Sequence, residues 1–356
     1  MAYTNKETAI KKLNEHADFR SKNFDNFRDD KEVVLVALDN EKNNNPYQPA
    51  IYLDLSDRLK ADRDVALKTV ENYGNVYYSV REYFPLDKEI ILTAIKRDSH
   101  SFNYIPNEYQ NDREFIIDLI KINPRILKYT PELFRDDKEI VLTAINLLSN
   151  DKFNVVENYY GISSNLLSNK EFSKEATKLD GRILNFLTDE LKNDKEIVSH
   201  AINSYIYAIE FASEQIRNDK EIMLKVVDEN GILLRHASND LQNDNEVVSK
   251  ALDDNCMTLQ YTSERIRNDK QTVLSTVACV GVALEYASDE LKNDKEVVLA
   301  AVKNAPGSIK YASLNIQTLC KDNDPVKVLE SAILTEKLLK SMNLKQEQKP
   351  IRKLKI

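Results

Sequence analysis

Apolar residues along this chain fall in a three-four rhythm that restarts every 25 residues over most of its length. Counted from an acidic anchor at Asp294, they occupy places three, four and eight as Val297, Val298 and Val302, with a small residue, Ala301, at place seven. The repeat anchored at Asp87 sets Ile90, Ile91, Ala94 and Ile95 in the same register. This spacing lines one face of a helix, and the Val-Val and Ile-Ile pairs sit inside it rather than in the two-residue alternation of a strand. The anchoring Asp suits an N-cap, and the Glu two places on favours the positive helix end. The pattern predicts a helix of about ten residues with Lys and Glu at places one and two turned outward.

Gly74, Gly181, Gly231 and Gly281 stand at place twelve, where a left-handed C-cap is expected to end that helix. A shorter apolar group follows, such as Leu284, Tyr286, Ala287 and Leu291, closed by Asn293 before the next anchor. Each repeat therefore reads as a helical hairpin with a long first helix and a short second one. A leucine-rich repeat has a compatible length of about 20 to 29 residues, but its Leu-x-x-Leu-x-Leu strand is missing.

Anchors recur at Asp30, Asp62, Asp87, Asp112, Asp137, Asn169, Asp194, Asp219, Asp244, Asp269 and Asp294. The steps from Asp30 to Asp62 and from Asp137 to Asn169 are 32 residues, so each carries a seven-residue insertion, around 39–50 and 147–158. Asn43-Asn44-Asn45-Pro46 in the first reads as a loop, whereas Phe153, Val155, Val156, Tyr159 and Tyr160 in the second suit a lengthened helix or a small apolar patch. Asn5-Lys6-Glu7 matches Asn169-Lys170-Glu171 and marks a degenerate first repeat, and Thr4 with Glu7 has the spacing of a capping box. Residues 1–29 are accordingly an N-terminal capping repeat, 30–320 the repeat array, 321–342 a capping helix opened by Asp324-Pro325, and 343–356 a flexible basic tail. The fold expected is all-α, a solenoid of about twelve 25-residue helical-hairpin repeats.

The recurring phrases are Asn-Asp-Lys-Glu-Val-Val-Leu-Ala-Ala-Val at 293–302 and Leu-Glu-Tyr-Ala-Ser-Asp-Glu-Leu-Lys-Asn-Asp at 284–294. Over roughly residues 80 to 317 they resemble the tandem repeats of the domain-of-unknown-function family 4116. The resemblance implies a repeat architecture and brings no activity or functional residues with it.

Composition narrows the functional classes. Six Gly in 356 residues argue against barrels, sandwiches and Gly-rich phosphate loops. The net charge of −8 speaks against broad affinity for nucleic acid or anionic membrane, although residues 321–356 hold nine Lys/Arg against five Asp/Glu, a local +4 that leaves −12 on the rest. Cys256, Cys279 and Cys320 are odd in number and lack metal spacing, which fits free thiols and a cytoplasmic setting. The N-terminus has no apolar signal core and the chain has no run of 18 apolar residues, a pattern compatible also with delivery into another cell by an unmarked route.

No nucleophile elbow, phosphate loop or zinc motif occurs, so neither a catalytic residue, a cofactor nor a metal is expected. The anchors do not make a calcium loop, which needs converging oxygens and a sharp Gly turn. Place seventeen holds Tyr104, Tyr129, Phe186, Phe211, His236, Tyr261, Tyr286 and Tyr311, a column expected to form a packed aromatic ladder. Place sixteen holds Asn103, Lys128, Asn185, Glu210, Arg235, Gln260, Glu285 and Lys310, always polar and differing from repeat to repeat. Fixed register with varied chemistry is what a one-dimensional recognition surface looks like, against the plainer reading of a solvated face. The function expected is a non-catalytic scaffold for protein or peptide partners. Its rivals are a nucleic-acid-binding helical repeat, which the acidic body opposes, and an enzyme with a site in a degenerate repeat.

Overall fold

The computed structural model describes residues 2–15, 17–41, 51–150, 159–321 and 323–347. Among them every regular element is helical. The chain divides into two compact parts, residues 1–191 and 192–356, which repeat one local design.

That design has three segments rather than two. In the repeat anchored at Asp269, a ten-residue α-helix, Lys270–Cys279, is followed by a six-residue 3-10 helix, Gly281–Tyr286, and a one-turn α-helix, Asp289–Lys292. The first helix starts where it does because the anchor caps it. Asp244 Oδ1 accepts the N–H groups of Glu246 and Val247 at 3.0 and 3.1 Å, two of the donors that no helical carbonyl can reach. The same capping opens the first repeat, where Asn5 rather than Thr4 is the cap and accepts from the Thr8 amide at 2.8 Å.

The α-helix stops at place eleven. Asn255 has φ −146° and ψ 103°, an extended backbone that breaks the helix, and its side chain then caps the following 3-10 segment by accepting from the Met257 amide. Asp98, Asn123, Asp180 and Asn230 repeat this device at the same place. The expected left-handed glycine cap is therefore corrected. Gly74, Gly231 and Gly281 begin the 3-10 segments, with no positive φ. Their small size serves close packing instead. A Cβ on Gly74, Gly231 or Gly281 would run into the carbonyl oxygen of Ala94, Ala251 or Ala301, the place-seven residue of the next repeat.

The core runs through places three, four, seven and eight of the α-helix and places fourteen and fifteen of the 3-10 helix. In the Asp244 repeat these are Val247, Val248, Ala251, Leu252, Thr258 and Leu259, all buried, with Ile266 of the one-turn helix beneath them. Burying each large aliphatic side chain is worth about 1.5–3 kcal/mol, so the layers between repeats supply most of the favourable energy.

Two departures mark the ends of insertions and array. The helix Lys138–Ser149 is twelve residues long, so part of the second insertion lengthens it, and Tyr159 beyond is fully buried. Residues 42–50 and 151–158, with Phe153, Val155 and Val156, lie outside the described residues. At the C-terminal end, the helix Pro325–Glu347 lies antiparallel on Lys295–Asn304, held by Lys303–Glu330 at 2.6 Å and Lys295–Glu336 and by the buried Leu329. It runs on through residues 343–347.

Both halves of the glycine–alanine approach can be tested in one repeat pair. Gly231→Ala and Ala251→Leu should each destabilise the chain by about 1–3 kcal/mol through overpacking, read as a lower denaturation midpoint with unchanged helicity at low denaturant. A midpoint that does not move would show that the gap between these repeats has room for a side chain.

Candidate interaction surface

The recurring polar residues hold the repeats together. Lys220 at place one donates to Asp244 Oδ2 at 2.8 Å and reaches Glu246 at 2.8 Å, the anchor and place-two carboxylates of the next repeat. Lys195 and Lys270 do the same with Asp219 and Glu221, and with Asp294 and Glu296. Arg63 and Arg113 follow suit in the first part, with Asp87 and Glu89, and with Asp137 and Glu139. Places one and two are thus not simply turned outward, as their polarity suggested; they form a ladder. Where place one is Asn245, its side-chain oxygen accepts from Arg265 of the same repeat at 2.8 Å, and the next anchor, Asp269, bonds to Thr272 of its own repeat.

A second ladder joins the one-turn helices. The Ser263 amide donates to the Gln242 carbonyl of the preceding repeat at 3.0 Å, its hydroxyl donates to Asn243 Oδ1 at 2.6 Å, and the same hydroxyl accepts from the Ile266 amide. Ser213 and Ser313 repeat these contacts onto Lys192 and Asn193 and onto Lys292 and Asn293. The phrase Ser…Asn-Asp-Lys-Glu is therefore largely a description of stacking.

What is left over lies on the 3-10 helices. With three residues per turn, places fourteen and fifteen face the core while thirteen and sixteen fall one above the other on the outside. In the second part, Ile206–Phe211, Gly231–His236, Cys256–Tyr261, Gly281–Tyr286 and Pro306–Tyr311 lie beside one another in chain order. They present Glu210, Arg235, Glu285 and Lys310 as exposed side chains and Gln260 as a half-buried one. Place thirteen adds Tyr207, Ile232, Met257 and Val282, which sequence reasoning missed although the three-residue offset from place sixteen marks them. In the first part Asn103 and Lys128 are exposed on the adjacent segments Ser99–Tyr104 and Pro124–Tyr129, and Asn185 is half-buried on Gly181–Phe186.

The aromatic column flanks this row and is not enclosed. Tyr104, Tyr129, Phe186, Phe211, His236, Tyr261, Tyr286 and Tyr311 are each only partly buried, so the packed ladder expected from the sequence is corrected to a half-exposed border. Several place-sixteen groups rest on it. The Lys128 and Lys310 ammonium groups lie 5.1 and 4.7 Å from the ring centres of Tyr129 and Tyr311, and Arg235 Nε donates to His236 Nε2 at 2.8 Å. Burial and then the Arg235 charge push the His236 pKa down, so the ring is neutral at pH 7 and can accept that bond. The Tyr286 hydroxyl is pushed up, by burial first and then by Glu285, Tyr311 and Tyr261.

Five segments, 87–135, 112–154, 169–217, 219–267 and 269–317, match a family described as domain of unknown function DUF4116. Each match opens on an anchor Asp or Asn, and together they cover more than half of the chain. The chain belongs to the DUF4116 family. No curated protein and no solved structure matches it significantly.

Among the described residues no three His, Cys, Asp or Glu side chains gather in a way that would hold a metal ion, and no helix is long and apolar enough to cross a membrane. A shallow groove between the one-turn helices Glu264–Arg267 and Asp289–Lys292 carries Arg265, but that guanidinium is already bonded to Asn243 and Asn245 at 2.8 Å. The cysteines also depart from expectation. Cys256 and Cys279 are joined as a disulfide and only the buried Cys320 is free, so cysteine usage no longer argues for a reducing compartment.

The anchor ladder makes the DUF4116 array acid-sensitive in a definite direction. Lys220 beside Asp244 and Arg63 beside Asp87 hold both carboxyls below their ordinary range, with help from the capping N–H groups. Their contribution is complete above the ordinary aspartate value of 3.8 and is lost as pH falls below it. Asp244→Ala should cost about 0.5–2 kcal/mol at pH 7, whereas Asp244→Asn keeps a capping acceptor, costs less, and flattens the loss of stability on acidification. Denaturant melts at pH 7 and at stepped acid pH measure both; equal costs for the two variants would show that capping contributes nothing.

Proposed function

We propose that this chain is a non-catalytic scaffold that holds an extended peptide or protein segment along the outward edges of its 3-10 helices. The observation that carries the reading is a division of labour within each repeat. Many of the residues that recur are used by the ladders, while place sixteen is largely exposed and its group changes from one repeat to the next: Glu210, Arg235, Gln260, Glu285, Lys310 in sequence along the second part. Successive repeats thus offer an acid, a base, an amide, an acid and a base in fixed register, each beside a half-exposed ring. An extended chain laid across such a row meets one side-chain choice per repeat, and its specificity is the sum of those choices. The partly exposed tyrosines add apolar area at little cost in side-chain entropy, a recurring feature of peptide-binding surfaces.

A library of displayed peptides selected on the purified chain provides the test, with the combined variant Arg235→Glu, Glu285→Lys and Lys310→Glu as the comparison. Selected peptides should bind the variant at least about tenfold more weakly, equivalent to about 1.4 kcal/mol, while its unfolding shifts by no more than about 0.5 kcal/mol. Peptides that bind both proteins equally would return the row to an ordinary solvated face.

A further inference from the structure

We propose that Cys256 and Cys279 form a reversible thiol–disulfide switch that staples two consecutive repeats in the middle of the second part. Cys256 opens the 3-10 helix Cys256–Tyr261 at place twelve, and Cys279 ends the helix Lys270–Cys279 at place ten of the next repeat. They are joined across 23 residues of chain with Cα atoms 6.6 Å apart, a separation that a disulfide spans with only the ordinary stacking of the repeats.

The neighbouring repeats show what stands in this position otherwise. The Gly231 amide donates to Asp254 Oδ2 at 2.8 Å and the Gly281 amide to Asn304 Oδ1 at 2.7 Å, in each case from place twelve to place ten of the following repeat. The same junction that is closed by a single hydrogen bond above and below is closed covalently here. The repeats need no disulfide in order to stack, so this bond can open without dismantling the array. Cys279 is exposed and Cys256 half-buried, which leaves one sulfur open to a small reagent, while Cys320 is 4% exposed and out of competition.

The exchange partner is a low-molecular-weight disulfide of the glutathione type. The Cys279 thiolate attacks one of its sulfurs and expels a small thiolate; the Cys256 thiolate then attacks Cys279 Sγ and expels the second. Two protein thiols are oxidised to the disulfide, one small disulfide is reduced to two thiols, and the two protons leave with them. Excess small thiol runs the sequence backwards. The link fixes the segment bearing Met257, Gln260 and Tyr261 against the helix that leads into Val282, Glu285 and Tyr286. Resting on the scaffold reading, the oxidised state would present the middle of the row in one geometry and the reduced state would let it yield.

The test equilibrates the full chain in buffers of stepped reduced-to-oxidised glutathione ratio, quenches with iodoacetamide, and reads alkylation of each cysteine by peptide mass spectrometry alongside thermal melting. Cys256 and Cys279 should lose alkylation together across the series, with a melting temperature several degrees higher at the oxidised end; Cys256→Ser and Cys279→Ser should each abolish that difference, and Cys320→Ser should leave it. Two cysteines that stay alkylated in excess oxidised glutathione, or a disulfide that survives excess reduced glutathione, would overturn the switch. Binding of a selected peptide is measured in both states separately: a working switch without binding removes the scaffold reading alone.

Discussion

The anchor carboxylates Asp30, Asp62, Asp87, Asp137, Asp219, Asp244 and Asp294 each serve two repeats at once, and the stack depends on that division. Asp244 gives one oxygen to the amides at the start of its own helix and the other to Lys220 of the repeat before it. The first set of bonds decides where the helix begins, and the second decides where its neighbour lies. Because both converge on a single side chain, local structure and stacking register cannot drift apart. The pairs are partly exposed and individually weak, about 0–1 kcal/mol each, so their effect comes from repetition along the array and from the apolar layers they align.

This economy shapes what the surface can do. Lys, Asp, Glu, Ser and Asn recur because stacking uses them, and an acid that caps a helix while receiving a lysine is not poised for proton transfer. The variation that stacking leaves open lies chiefly on the outward edges of the 3-10 helices. There the backbone is regular and the side chains are individual, and it is this contrast that separates a recognition row from a merely polar face.

The helical content, the 25-residue step, the ten-residue first helix and the membership in a repeat family were legible because each follows from residues inside one repeat. A cap and a three-four apolar face lie within a dozen residues of one another, so their geometry is set by the α-helix itself. The Asn or Asp at place eleven was equally local, yet the helix end was read instead at the place-twelve glycines; Asn123, Asn230 and Asn255 stand where a short polar side chain closes the next segment.

What only the tertiary structure decided is the destination of residues whose partners lie in the next repeat. Gly231 looked like a helix cap and proved to be a space left for the Ala251 carbonyl; Lys220 looked solvent-facing and reaches Asp244; Cys256 looked unpaired and meets Cys279; Tyr261 looked like core and stands half in solvent. Periodicity marks such places as special without saying whether water, the core or a neighbour satisfies them. The sequence by itself determined how each repeat folds, because those forces act between near residues. How repeats meet, and which side chains remain at the surface afterwards, depended on packing between segments some 25 residues apart, where spacing along the chain carries no direction in space.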